Sequence, residues 1–117
     1  MDKMRKERLT AGGIEVEQAI ARLMGNEQLL ERFLLKFADA PYMDALHAAI
    51  EEGHPGKMLE ASHALKGVCG NLSIQGLFGL FSRQVELLRG GDWEAAAAMM
   101  PEICAAHAKA VDAIREA

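Results

Sequence analysis

Among the side chains of this sequence, His63 has the clearest capacity for chemistry, because a neutral imidazole nitrogen is a good nucleophile and a solvated ring is largely neutral near pH 7. It lies in the stretch ASHALKGVCGNLS, residues 61–73. There Met58, Ala61, Ser62, Leu65, Val68, Cys69 and Leu72 recur at spacings of three and four, the mark of an amphipathic helix. At about 100° per residue, His63 falls roughly 170° from the middle of that apolar stripe and must face outward. Gly67 and Gly70 lie within about 40° of it on the same wheel. Each costs a helix interior ~1 kcal/mol relative to alanine, so another use is expected. A glycine one turn from an exposed imidazole leaves the ring open to an approaching body. Lys66, three residues on, can set an ammonium beside any anion that the ring carries.

The run His63, Leu65, Lys66, Gly67, Asn71, Leu72 resembles the signature of histidine-containing phosphotransfer domains, the HPt modules of bacterial phosphorelays. The resemblance extends over about residues 13 to 116 and takes in GIEVEQAIARLMGNEQLLERF. It implies that His63 is the phosphoacceptor, that Lys66 neutralises phosphoryl charge and that Gly67 gives a receiver domain access. Leu59, Gly70 and Arg83 are then candidates for the partner-binding face. The implied partners are response-regulator receiver domains and a hybrid sensor histidine kinase, and no cofactor or metal is implied. Two positions depart from the family pattern. Ser73 stands where glycine is frequent, and Val85 stands 22 residues after the histidine, where some members carry a polar group that holds the ring.

Other constellations carry less. Glu60 with His63 and Glu51 with His54 form E-x-x-H pairs, and Asp44 with His47 a D-x-x-H pair, as metal-binding helical bundles use. Such ligands must project inward, whereas Glu60 and His63 point away from their own apolar stripe. His47, His54 and His107 read as structural or merely exposed. A glycine-rich phosphate loop is missing, so no nucleotide-dependent kinase activity is expected. Cys69 and Cys104 lie far apart in apolar pattern and read as reduced core residues. The alternatives to a phosphocarrier are a helical adaptor that docks a receiver without chemistry and a metal-binding bundle.

The elements that must hold His63 in place are helical. Half of the 117 residues are hydrophobic but only 5% are aromatic, so alanine, leucine and methionine fill the interior, as suits packed helices. The net charge of −4 gives no nucleic-acid footprint, and no apolar run reaches the roughly 20 residues of a membrane span. A cytoplasmic monomer is expected. Residues 1–12 read as a flexible leader and 13–117 as one domain. A short helix ends at Gly25, Asn26 caps the next, and Pro41 breaks it before a continuation to Glu52. Pro55 opens the His63 helix, and Ser73 is expected to cap the one after it. Gln84 is an amide within an apolar stripe and needs partners. Asp92 caps the last helix, Trp93 covers its junction, and Pro101 kinks or splits it. The expected fold is all-α, an up-and-down antiparallel four-helix bundle with a short additional N-terminal helix.

Overall fold

The computed structural model describes residues 1–116, and the protein is all-α, with no strand among the described residues. Among the described residues no helix is long and apolar enough to cross a membrane.

The expected flexible leader is instead a helix, α1 (Lys3–Ala11). Asp2 caps it by accepting the Arg5 N–H at 2.7 Å, and Leu9 is fully buried. Its sequence looks unstructured because its partners are polar groups far along the chain. The Arg5 guanidinium pairs with Glu31 at 2.9 Å and donates to the carbonyls of Ala113, Ile114 and Glu116. Gly12 lets α1 approach the last helix, since a Cβ there would lie 2.5 Å from that of Ala113.

The chain then turns into α2 (Val16–Arg22), which buries Val16 and Ala19. The start of α2 is stitched to the turn that follows the His63 helix. Glu15 N–H donates to the Ser73 carbonyl at 2.8 Å, Gly76 N–H to that of Gly13 at 3.3 Å, and the Gln75 amide to that of Gln18 at 2.7 Å.

Asn26 caps α3 (Glu27–Asp39) by accepting the Leu29 N–H at 3.0 Å, and Leu30, Leu34 and Phe37 turn inward. Pro41 acts as its position requires. Ala40 is extended at ψ 143°, and the chain restarts as α4 (Asp44–Glu52), closed by Gly53 in the left-handed region at φ 63°. In α5 (Pro55–Asn71) the first proline is preceded by His54, whose Nδ1 accepts the Lys57 N–H at 3.1 Å. His54 is therefore a helix cap.

Ser73 does not cap α6 (Gln75–Arg89), whose start has no side-chain cap. It closes α5 instead, in left-handed backbone at φ 54°. Ser73 N–H bonds the Gly70 carbonyl at 3.2 Å and Ile74 N–H that of Cys69 at 2.9 Å, the paired closure of a Schellman motif. Its hydroxyl is buried without a partner. Asp92 caps α7 (Trp93–Ala98) through the Ala95 N–H at 3.1 Å, and Trp93 remains 41% exposed rather than sealing the junction. Pro101 splits the last run: α8 (Met100–Arg115) begins just ahead of it, across Met99.

Helix α5 packs on α4 and α6, α6 also on α7 and α8, and α8 on α3 and α1. The main core gathers Leu30, Leu34, Phe37, Leu65, Phe81 and Ile103, among others. Gln84 is fully buried within α6 and satisfied: its carbonyl accepts Ser62 Oγ–H at 2.8 Å and its amide donates to the Ala96 carbonyl at 3.0 Å. This amide locks the rotation of α5 against α6 and α7, because Ser62 reaches it only when that side of α5 is turned inward.

Candidate functional site

With Ser62, Leu65 and Cys69 fixed inward, the neighbouring residue His63 is carried to the surface and is exposed. It lines an open groove of about 310 Å³ together with Arg22, Lys66, Gly67, Gly70, Asn71 and Phe78. Four of the residues picked out in the sequence, His63, Lys66, Gly67 and Gly70, thus share one depression.

Their roles in it differ. Nothing lies within 4 Å of where a Gly67 Cβ would stand, so this glycine leaves open space one turn from the imidazole. Gly70 is different, because a Cβ there would sit 3.1 Å from the Phe78 ring. Its missing side chain makes room for an aromatic wall of the groove, a packing reason for this glycine apart from any partner. Lys66 is half-buried, with its ammonium 5.9 Å from the Phe78 ring centroid, so the wall also holds the lysine over the groove.

Leu59 does not line the groove. It is half-buried and packs against the cluster of Ala49, Met58, Leu88 and Ala96. Arg83 is exposed on α6 and is also outside the groove. Val85 is fully buried, so α6 offers the imidazole no polar group at that position.

Sequence reasoning missed Arg22 and Phe78, and it gave Asn71, which stands in the signature run, no role of its own. Arg22 belongs to the last turn of α2, and long-range ties bring that helix beside α5: the backbone stitches at Glu15 and Gly13, and Val16 and Ala19 buried in the core shared with Leu65 and Cys69. No pattern within α2 announces this. The charged side chains lining the groove are Arg22 and Lys66, and no carboxylate joins them. In a chain with 17 acidic residues and a net charge of −4, such a groove favours an anion.

The remaining reactive groups are held apart from it. Glu60 lines a different depression of about 410 Å³ on α4 and α5, floored by Ala45, Ala48, Ala49 and Ala61, so the Glu60 and His63 pair does not share a groove. No three His, Cys, Asp or Glu side chains gather as a metal site among the described residues. Burial pushes the Cys69 thiol up to about 12, which keeps it protonated and inert. Cys104 is a free, half-buried thiol. His107 is half-buried, its ring 5.7 Å from that of Phe37; burial, then the nearby His47 and Arg115, lower its pKa and favour the neutral ring.

No protein-family profile, curated protein or solved structure matches this chain. Fold and site together define its class as an all-helical protein presenting an exposed histidine in a cationic groove.

Proposed function

We propose that the protein is a phosphorelay intermediate in which His63 accepts a phosphoryl group from a receiver-domain aspartyl phosphate and passes it to another receiver. The observation that carries this reading is the juxtaposition of an exposed imidazole, the open space at Gly67 and two cations in a groove without a carboxylate. In the transfer, a neutral ring nitrogen attacks phosphorus. The nitrogen–phosphorus bond forms as the bond to the aspartyl oxygen breaks, and the aspartate leaves as its carboxylate with the electron pair. The proton on the other ring nitrogen stays in place, and the reverse step needs no further reactant. Such a site requires no activating triad, only access and charge neutralisation.

The helix order fits a four-stroke bundle. Helices α3 and α4 together, α5, α6, and α7 with α8 run in sequence, and α8 returns to α3, with α2 as the additional short helix. On this reading the protein is a cytoplasmic monomer serving receivers and a hybrid kinase, and it meets each through a small transient contact, at or below ~1,200 Å².

The test is to incubate the protein with a phosphorylated receiver domain and to look for label in an acid-labile, base-stable adduct. His63→Gln should abolish that label and leave Tm unchanged, because the ring is exposed. Label persisting in the glutamine variant would refute the assignment. A wild-type protein labelled neither by receivers nor by a chemical phosphoryl donor would leave the adaptor reading in its place.

A further inference from the structure

Resting on that reading, we propose that Arg22 is a second phosphoryl-binding residue, reaching the His63 groove from α2 and holding phosphoryl oxygens that Lys66 cannot. A phosphoryl group on the ring presents three acceptor oxygens and close to two negative charges near neutral pH. Lys66 brings one compact ammonium from the same helix as His63, and that ammonium already leans over the Phe78 ring. Arg22 lines the groove from another helix. Its planar guanidinium can bind two oxygens of one phosphoryl group at once, which an ammonium cannot.

Two further observations favour this role. Arg22 takes part in no ion pair among the described residues, and neither does Lys66, so no carboxylate competes for the two cations of the groove. Its helix is also fixed relative to the site and not merely adjacent to it. The bonds from Glu15 to Ser73, from Gly76 to Gly13 and between Gln75 and Gln18 attach the start of α2 to the turn directly after α5. Arg22 lies six residues beyond Val16 at the start of α2, about 9 Å by helix rise. A guanidinium carried on an anchored helix loses less freedom on binding than one on a free loop.

A rival account makes Arg22 only a favourable cation at the C-terminal end of α2, where it complements the helix dipole. That account predicts a change in Tm and none in phosphoryl chemistry. The experiment measures labelling of wild type, Arg22→Gln and Arg22→Lys from two donors, a phospho-receiver and phosphoramidate. With phosphoramidate the nitrogen–phosphorus bond of the donor breaks and ammonia leaves, so no partner protein is involved. Arg22→Gln should slow labelling from both donors about three- to tenfold at low salt, with Tm unchanged, and the difference should shrink at about 0.5 M salt. Arg22→Lys should fall between, since it keeps the charge and loses the fork.

Equal rates in wild type and Arg22→Gln would overturn the proposal while leaving His63 as acceptor. An effect seen with the receiver alone would overturn it too, making Arg22 a docking contact. A fall in Tm with unchanged rates would establish the dipole account. If wild type took label from neither donor, the proposed function itself would fail, and this inference with it.

Discussion

At the residue scale, Gly67 separates a docking face from a tolerated glycine. Its surroundings are empty to 4 Å, so no packing reason for a missing side chain exists there. Gly67→Gln should therefore gain up to ~1 kcal/mol of helix propensity and raise Tm. The new side chain would stand one turn from His63 and obstruct the in-line approach of an aspartyl phosphate, so transfer should slow in the same variant. A folded variant with wild-type transfer would show that Gly67 is not an access gap. Gly70 looked equivalent on the helical wheel and is not, for a reason the wheel cannot hold. Angular position within one helix says where a residue faces, and His63 and Gly67 were legible in that way. Whether a neighbour such as Phe78 fills that direction depends on α6, and so Gly70 and the aromatic wall were not legible.

Elements start and stop in this chain by local chemistry, which is why most boundaries could be read in advance. Asn26, Gly53, Pro55, Asp92 and Pro101 each act through their own backbone or nearest amides. Ser73 was misjudged because serine is a good N-terminal cap, whereas here it occupies the left-handed C-terminal position of α5, which favours glycine. Serine in that backbone costs about 1 kcal/mol, and its buried hydroxyl adds an unsatisfied group. Ser73→Gly should accordingly raise stability by ~1 kcal/mol in urea unfolding, even after glycine's larger unfolded-state entropy is counted. A lower urea midpoint would mean that the hydroxyl has a partner or fills space that glycine leaves empty. Because the Ser73 carbonyl holds Glu15 in either variant, the placement of α2 should survive.

Over the whole molecule, the least legible feature is the closure of the chain on itself through α1. The short α1 would be marginal alone in water, and with only Leu9 fully buried its apolar stripe is thin. What holds it is Arg5, whose side chain is only 12% exposed although it carries a full charge. The guanidinium satisfies three carbonyls at the C-terminal end of α8 while its other edge meets Glu31 of α3, so one side chain ties three helices. Those carbonyls belong to the last turn, where helical partners run out, and a cation there also complements the helix dipole. A lysine supplies the same charge but one nitrogen, and it cannot reach the carbonyls and the carboxylate together. Arg5→Lys should therefore cost about 1.5 to 3 kcal/mol, the range for hydrogen bonds to charged groups. Tm should fall by several degrees, and amide exchange should quicken in α1 and the last turn of α8 before it does in α5. Unchanged Tm and exchange would show that charge alone suffices and that the fork geometry contributes nothing. Exchange quickening equally in α5 would show instead that α1 and the His63 helix open as one cooperative unit, tying the stability of the candidate site to the first dozen residues of the chain.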